Sequence, residues 1–291
     1  MLSVIIPAHN EEAVIRRGLE YLLTGARPGE VEVIVACNGC TDRTADLARQ
    51  FGPPVRVLEI PTASKTAALN AADSVATAFP RVYLDADVRL DIASVRALAA
   101  ALEADPAVPL VAPRLRMDLE QTTWPVRAFY RVRMSLPYNQ VMVGTGAYAL
   151  SRAGRARLGP FPDIISDDGF VRFNFPPQER RTVADAEVFV DPPQTLSALL
   201  RSKTRSRLGG YQLRARFPQL PTAEPKNTRA LLATLARAPH LWSALPVYLC
   251  VNTLTRWRAR ALQRDSHSYV WQRDDTRDTA ERTALPAGSR D

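Results

Sequence analysis

Two pairs of carboxylates occupy positions where their charges are costly unless something compensates them. Asp85 and Asp87 directly follow the apolar residues 82–84, and Asp167 and Asp168 lie in a segment rich in Phe, Ile and Val. Alternate side chains of a strand point the same way, so Asp85 and Asp87 share a face. Neighbouring carboxylates repel each other unless a cation or a proton lies between them. The first pair therefore indicates a shared cation or proton, and the alternative is a solvated loop in which an Asp caps the next helix.

The second pair suits general-base chemistry, because a partly desolvated carboxylate has a pKa raised toward the working range of an enzyme. Its alternative role is to cap a helix that begins near Gly169. Upstream of this pair, Gly144 and Gly146 flank Thr145. This pattern allows a ligand to approach the backbone closely, and it equally suits a tight turn.

The chain is basic, which predicts an anionic partner. Its net charge is +8, and lysine occurs only at Lys65, Lys203 and Lys226, so nearly all of its cations are arginine. In such a chain a lysine hints at a position that needs a compact ammonium. The arginines within 201–207 either close over phosphates or form a solvated surface stripe. Nucleotide phosphates or an anionic membrane surface fit this charge better than nucleic acid, because the cations lack interleaved aromatic residues for stacking on bases.

The 291 residues, 46% of them hydrophobic, suit either one large α/β domain or one domain plus an appendage. Cys37 and Cys40 have the C-x-x-C spacing of redox and zinc sites, but the Asn-Gly between them favours a turn after a strand. The first residues enter a strand without a charged leader, so we expect no signal peptide. With three cysteines and no disulfide framework, we expect a protein of the reducing cytoplasm.

Strands alternate with helices over the first hundred residues, which predicts a parallel sheet covered on both faces. The predicted strands lie at 2–7, 31–36, 55–60 and 82–86, and the predicted helices at 11–26, 41–51, 64–79 and 92–103. Ligands of such sheets bind beyond the carboxyl ends of the strands. Polar residues follow three of these ends, at 9–11, 38–42 and 85–87. We therefore expect these three groups to converge on one crevice.

Residues 241–264 combine a short apolar run with aromatic and basic flanks. The run is about a dozen residues long, which is too short to span a bilayer, since that needs about 20. Trp242 and Trp257 bracket the run, and arginines surround it. This pattern suits a helix that lies at an anionic membrane surface, and it equally suits a core helix with a solvated basic end. Residues 273–291 are polar and aperiodic, and we predict that they are disordered.

Five segments resemble, in order, the motifs of the family-2 glycosyltransferases, which are inverting enzymes with the GT-A fold. They read SVIIPAHNEE, VACNGCTDRT, SKTAALNAA, DAD and SDDGFV, and the likeness runs from residue 2 to about residue 216. It implies an α/β fold of GT-A type, a Rossmann-like and mostly parallel sheet flanked by helices, with a C-terminal helical extension. We therefore divide the chain into a glycosyltransferase domain at 1–216, a helical segment at 217–272 that is a candidate for membrane association, and the tail at 273–291. Within the domain, the nucleotide-binding part ends at about residue 115 and the acceptor part follows.

The resemblance also implies a function. A sugar would move, with inversion, from a nucleotide-diphosphate sugar to a hydroxyl of a glycan, lipid or small molecule, with Mg²⁺ or Mn²⁺ as cofactor. Asp168 would be the general base, with Asp167 in the place of the family's glutamate, and Asp87 would be the metal ligand, with Asp85 near the ribose or a metal-bound water. The donor would be bound by Pro7, Ala8, Asn10, Glu11, Asn38, Asp42, Lys65, Asp85, Ala86, Asp87, Arg205 and Arg207. Gly144, Thr145 and Gly146 would lie on the acceptor side.

Two departures from the family's pattern bear on specificity. Asn38 stands where the family more often has an acidic residue that contacts the base, so the identity of the base stays open. The Q-x-x-R-W motif of processive relatives is missing, since the corresponding stretch reads TRSRLGG, and this favours single-sugar transfer. The alternatives are an inactive nucleotide-binding module at the membrane and a sugar-phosphate nucleotidyltransferase. The latter normally has a glycine-rich basic loop where this chain reads PAHNEE.

Overall fold

The computed structural model describes residues 1–136, 145–221 and 228–264. Contacts between residues divide the described chain into two compact units. The first unit comprises 1–117, 145–190 and 213–221, and the second comprises 118–136, 191–212 and 228–264. The division predicted at residue 216 follows motifs rather than contacts and stays a prediction. Gly144 and the tail at 273–291 lie outside the described residues.

The first unit is built around an eight-stranded sheet. Its strands are β1 (Leu2–Ala8), β2 (Val31–Asn38), β3 (Val55–Ile60), β4 (Arg81–Leu84), β5 (Val88–Leu90), β6 (Leu110–Arg116), β7 (Ala147–Leu150) and β8 (Arg180–Val190). Its helices are α1 (Ile15–Leu23), α2 (Thr44–Arg49), α3 (Lys65–Val75), α4 (Ile92–Ala104), α6 (Arg152–Leu158) and α7 (Asp167–Asn174). The strand and helix alternation predicted for the first hundred residues is therefore present. The first three helices are shorter than predicted, and β4 ends at Leu84 rather than at Ala86, so Asp85 and Asp87 follow the strand instead of belonging to it.

The sheet has the strand order β3-β2-β1-β4-β7-β6-β8-β5. Parallel pairings join β3 to β2, β2 to β1 and β1 to β4, and a further one joins β6 to β8. β7 lies antiparallel between β4 and β6, and β5 pairs antiparallel with β8. Because β7 runs against β4, the residues that precede β7 lie at the same edge of the sheet as the residues that follow β4.

Helices cover both faces of the sheet, and the alternation of side chains along β1 separates the two cores. Val4 and Ile6 pack with α1, α2 and α4 on one face, whereas Ile5 packs with α3, α6 and α7 on the other. All three β1 residues are fully buried or nearly so. A strand buried on both faces reads as a continuous apolar run, as "SVIIPA" does.

The helix that follows the acidic pair of residues 85–87 is capped by a different residue. The Asp91 carboxylate accepts a hydrogen bond from the backbone N–H of Ser94 at 2.7 Å, which satisfies one of the donors left free at the start of α4. Neither Asp85 nor Asp87 therefore has the capping role that the alternative interpretation gave to this pair.

The second unit is helical. It contains α5 (Trp124–Met134), residues 196–212 of α8 (Leu196–Arg216), α9 (Thr228–Arg237) and α10 (Leu245–Arg264). The Phe129 and Tyr248 rings stack with centroids 5.5 Å apart, and Arg207 donates hydrogen bonds to Thr255 and Asn252. Within the described ranges, no helix is both long and apolar enough to cross a bilayer.

Candidate active site

Hydrogen bonds tie the loop after β1 to the loop after β2. The Asn38 side chain donates to the backbone carbonyl of Ala8 at 2.8 Å, and the Asn10 side chain accepts from the backbone N–H of Thr41 at 2.8 Å. Asn38 is almost fully buried, and Asn10 adopts a left-handed backbone with φ of 54°. Asn and Asp tolerate this conformation better than most residues. The two predicted nucleotide-contacting loops therefore form one rigid edge.

Asp42 extends this network along the second loop. Its carboxylate accepts hydrogen bonds from the Thr44 backbone N–H at 3.0 Å and hydroxyl at 2.5 Å, and from the Glu12 backbone N–H at 3.0 Å. The Thr44 hydroxyl in turn accepts from the backbone N–H of Glu11 at 2.7 Å. Asp42 thus orders the start of α2 and fixes Glu11 beside the loop.

Gly39 connects this edge to the start of α3. Its φ is +56°, and a side-chain carbon at this position would lie 2.8–2.9 Å from atoms of Ala63, among them the backbone nitrogen. Ser64 then caps α3 by accepting from the backbone N–H of Ala67. Because the helix begins at Lys65, the lysine side chain leaves from the first turn of α3.

The Lys65 ammonium lies between carboxylates from two different elements. Its Nζ is 2.8 Å from Asp85, at the end of β4, and 3.0 Å from Asp167, at the start of α7. The Lys65 side chain is 20% exposed, the Asp167 side chain 5% and the Asp85 side chain 37%. A single cation thus joins the two acidic pairs, which are about eighty residues apart in sequence.

Burial and charge act in opposite directions on these groups. Burial raises the pKa of Asp167 to about 6, although Lys65 pulls that pKa down and the neighbouring carboxylates of Asp168 and Asp85 push it up. For Lys65, burial lowers the pKa, but the carboxylates of Asp167 and Asp85 outweigh burial and hold it above its ordinary value. Lys65 therefore stays protonated at neutral pH, whereas Asp167 has a pKa of about 6, just below neutral pH.

Asp168 lies in the first turn of α7, one residue after Asp167, and is half-buried. Its carboxylate accepts hydrogen bonds from the Ser166 hydroxyl at 3.1 Å and the Gly169 backbone N–H at 2.7 Å. The helix does begin at this pair, as the capping alternative expected, and Ser166 in the N-cap position makes no capping bond of its own. Local hydrogen bonding and a chemical role are compatible, because a carboxylate has about four acceptor sites.

The antiparallel strand β7 brings the glycine-flanked segment to the first acidic pair. The Asp85 backbone N–H donates to the carbonyl of Gly146 at 2.7 Å, and a side-chain carbon on Gly146 would lie 2.7 Å from Val88 and 3.5 Å from the Asp85 carboxylate. Gly146 also has a φ of +84°, so both the backbone conformation and the short distance to Val88 require glycine at this position. Thr145 precedes it and is 7% exposed, and within the described part of the chain its buried hydroxyl has no hydrogen-bond partner.

Tyr148 is a member of this site that the sequence analysis did not identify. It lies opposite Tyr83 in the β4–β7 ladder, and the two rings stack with centroids 4.9 Å apart. Burial raises the pKa of its hydroxyl well above the ordinary value, and the charges of Asp167 and Asp85 act in the same direction. Its buried hydroxyl has no partner among the described residues. Such a hydroxyl in a native protein is normally satisfied by water or a ligand.

The donor set at the end of β4 fits a hard divalent cation bound together with phosphates. Asp85 and Asp87 supply carboxylate oxygens, which Mg²⁺ and Mn²⁺ prefer. Among the described residues, no group of three or more His, Cys, Asp or Glu side chains is arranged to hold a metal alone. A cation here would therefore complete its coordination with oxygens from a ligand, as Mg²⁺ does when one or two carboxylates and substrate phosphates bind it.

The structure brings most of the predicted donor residues together in the first unit. Pro7 and Ala8 end β1, and Ala86 is buried between Asp85 and Asp87. Arg205 and Arg207 lie on α8 in the second unit, where Arg207 is held by α10. Cys37 and Cys40 are free thiols beside the first loop, and a hydrogen bond from Cys37 lowers the pKa of Cys40 to about 6.

Comparisons with solved structures identify the fold. The mannosyltransferase PcManGT from Pyrobaculum calidifontis, solved with GDP-mannose and Mn²⁺, superposes with a TM-score of 0.60 and 22% identity over 91% of this chain and 79% of its own. Glucosyl-3-phosphoglycerate synthase from Mycobacterium tuberculosis, solved with Mn²⁺, UDP and glucosyl-3-phosphoglycerate, gives 0.54 and 23% over 74% and 79%. These likenesses confirm the predicted GT-A-type α/β fold.

A comparison with curated proteins finds a shorter likeness. A probable glycosyltransferase of Bacillus subtilis (strain 168), YdaM, is 43% identical over 51 residues, which span 17% of this chain and 12% of that relative. The family model for "Glycosyl transferase family 2" matches residues 3–156, which contain four of the five motifs. This match spans more than half of the chain and begins and ends within the first unit. The chain therefore belongs to glycosyl transferase family 2.

Proposed function

We propose that this protein transfers a single sugar, with inversion, from a nucleotide-diphosphate sugar to an acceptor hydroxyl. The observation that carries the proposal is the placement of the Lys65 ammonium between Asp85 and Asp167. This contact unites the end of the fourth strand, where the donor's diphosphate would lie, with the helix that carries Asp168. Family membership and neighbours solved with nucleotide sugars support the donor class.

The nucleoside part of the donor would lie along the joined loops after β1 and β2. Asn10, Glu11 and Asp42 line this edge, and their hydrogen bonds pre-organise it. The Asn38 side-chain nitrogen donates a hydrogen bond to the Ala8 carbonyl. The side chain therefore orders the loop and offers no charge to the nucleotide base. This arrangement supports a donor site and leaves the identity of the nucleotide base open.

Asp85 and Asp87 would hold Mg²⁺ or Mn²⁺, which when bound supplies a Lewis acid for the charge that develops on the leaving diphosphate. The chain's own contribution is to keep carboxylate oxygens on one edge and a lysine beside them. Lys65 also neutralises Asp85, which limits the repulsion within the acidic pair.

Asp168 would take the proton of the acceptor hydroxyl. An inverting displacement needs a base on the face of the sugar opposite the leaving group. Asp167 is committed to Lys65 and is 5% exposed, whereas Asp168 is more exposed and makes local bonds with Ser166 and Gly169. This difference favours Asp168 as the base and Asp167 as the residue that positions α7. Thr145 and Gly146, beside Asp85, would border the acceptor.

The acceptor class follows less directly. A glycan, a lipid or a small molecule would all offer the hydroxyl, and one neighbour was solved with glucosyl-3-phosphoglycerate. We keep a lipid-linked acceptor and a cytoplasmic protein at the inner face of the membrane as part of the proposal, because the second unit carries an exposed apolar and basic helix.

The proposal is tested by the variant Asp87→Ala in a thermal-shift assay with nucleotide sugars, with and without Mn²⁺, and in a turnover assay. We expect loss of transfer and of the Mn²⁺-dependent part of the shift, which for wild type at a hundred times the dissociation constant is about 2.7 kcal/mol of stabilisation. Asp91→Ala is the matched control. It removes the cap of α4 at a cost of about 1 kcal/mol and leaves the Mn²⁺ dependence intact. Unchanged Mn²⁺ dependence in Asp87→Ala contradicts the proposed metal ligand.

Nucleotide binding without any transfer or donor hydrolysis would favour the second candidate, an inactive nucleotide-binding module. The hydroxyls of Thr145 and Tyr148, which find no hydrogen-bond partner among the described residues, argue for the enzyme, because a module that binds the nucleotide alone does not need polar groups on the acceptor side.

A further inference from the structure

Two helices of the second unit form a pocket whose lining contains none of the loop and strand residues proposed to bind the donor. Its volume is about 320 Å³. The pocket lies between α8 and α10, and its lining includes Arg201, Thr204, Arg205, Trp257, Arg258 and Leu262. Guanidinium groups come from both helices, and none of the described side chains that line the pocket is a carboxylate. The pocket therefore combines arginines from two helices with apolar side chains.

Thr204 lines the pocket, but its hydroxyl is buried. The residue is 6% exposed, and within the described part of the chain its hydroxyl has no hydrogen-bond partner. Because this oxygen exposes almost no surface, the arginine side chains are the donors that a ligand in the pocket would meet. Guanidinium forks are well suited to phosphate oxygens.

The pocket opens beside apolar side chains that stand out from α10. Trp257 is 68% exposed and Leu262 is 44% exposed, and both line the pocket. Leu249 and Trp242 are also exposed, at 47% and 62%, on and just before the same helix. Val251 and Ala259 of α10 are buried, so the helix is already anchored in its own unit. The exposed side chains of Trp257 and Leu262 are thus additional to what this packing requires.

We propose that the pocket between α8 and α10 binds the phosphate headgroup of an anionic membrane lipid. Arg201 and Arg258 would hold the phosphate, and Trp257 and Leu262 would contact the glycerol and the first methylenes of the acyl chains. Charge complementarity and the mixture of guanidinium with exposed Trp and Leu favour this ligand over free phosphate, which has no use for the apolar side chains. Arg205, which also lines the pocket, is predicted to bind the donor, so it is left unchanged in the variants. The inference rests on other residues of α8 and α10 and does not depend on Asp85, Asp87 or Asp168.

The test compares binding of the full-length protein to vesicles of phosphatidylglycerol and of phosphatidylcholine at physiological salt. The variant Arg201→Lys/Arg258→Lys keeps the net charge and removes the planar forks. The matched control is Arg256→Lys/Arg260→Lys, which alters two exposed arginines of α10 that do not line the pocket. We expect wild type to bind phosphatidylglycerol vesicles, the pocket variant to bind at least tenfold more weakly, and the control to bind within about twofold of wild type.

Three results overturn the proposal. Equal binding by the two double variants would mean that charge alone attracts the helix. No binding of wild type to phosphatidylglycerol, combined with stabilisation by inorganic phosphate that the pocket variant loses, would assign the pocket to free phosphate. Dimerisation that the pocket variant loses, without vesicle binding, would assign the pocket to a second copy of the chain. Because no nucleotide is present in this assay, its failure leaves the donor-site proposal untouched.

Discussion

At the scale of single residues, Lys65 determines how the site tolerates its negative charge. It contacts Asp85 and Asp167 at 2.8 and 3.0 Å, so one ammonium serves carboxylates from β4 and α7. A partly buried carboxylate without such a partner would be protonated or would displace its helix. The scarcity of lysine in this chain hinted at a special role for Lys65, and the structure supplies a physical reason for it.

The division of labour between the two adjacent carboxylates leads to a prediction about turnover. Asp168→Asn keeps the size of the side chain and most of its hydrogen bonding, so we expect stability to change by at most about 1 kcal/mol. Because Asp168 is the proposed general base, its replacement by Asn should lower turnover by about two to four orders of magnitude and leave donor affinity nearly unchanged. Steady-state kinetics with separate measurement of donor binding checks this. Asp167→Asn is the parallel variant, and near-normal turnover in both variants would exclude the pair as the source of the base.

At the scale of elements, the sequence predicted the first four strands and the helices between them, because their apolar runs and turns are strong local signals. It also predicted that residues 9–11, 38–42 and 85–87 follow strands at one edge, which follows from parallel connections. Two of the elements that were not predicted show why they were missed. β5 has three residues and pairs with β8, about a hundred positions away, and α6 begins at a Ser151 cap without a long apolar stripe.

The acceptor side was harder to predict for a physical reason. Gly146 reaches Asp85 because β7 pairs antiparallel with β4, and such a long-range pairing has no signature in the local sequence. Tyr148 reads as a core residue in "AYAL", and only the neighbouring charges of the folded chain give its hydroxyl a chemical context. The contact between Lys65 and Asp167 was likewise not predicted, since nothing in the sequence states which helix ends meet.

The turn between β2 and α2 leads to a prediction about stability and nucleotide binding. Gly39→Ala combines a left-handed backbone with a clash against the Ala63 backbone. Gly52→Ala is its matched control, since Gly52 has a similar φ of +58° and open space around the new carbon. Both variants lose about 1 kcal/mol from backbone strain, and we expect Gly39→Ala to lose a further 1–3 kcal/mol and to bind nucleotide more weakly. Denaturant unfolding and nucleotide titration measure both effects, and equal stabilities would show that the loop gives way easily.

At the scale of the whole molecule, the first unit has a proposed catalytic site and the second has exposed aromatic and basic side chains. The net charge of +8 alone would fit several partners, including nucleic acid. The distribution is more informative than the total, since cations and exposed tryptophan occur together on α10. The predicted C-terminal helical extension is present, and its attachment to membrane stays a prediction.

The free energy of unfolding of the protein should depend on pH through the buried carboxylate of Asp167. Its pKa in the folded protein is about 6, against an ordinary value of 3.8, so between these values the folded state binds more protons than the unfolded state. Stability from this group is therefore complete below about pH 4 and is lost as pH rises through 6, with a total of about 3 kcal/mol. Asn at position 167 does not titrate. We expect the free energy of unfolding of wild type, relative to Asp167→Asn, to fall by about 2 kcal/mol from pH 4 to pH 7. Denaturant unfolding across this range measures the difference, and parallel curves, or a difference of opposite sign, would mean that Lys65 rather than burial sets the pKa of Asp167.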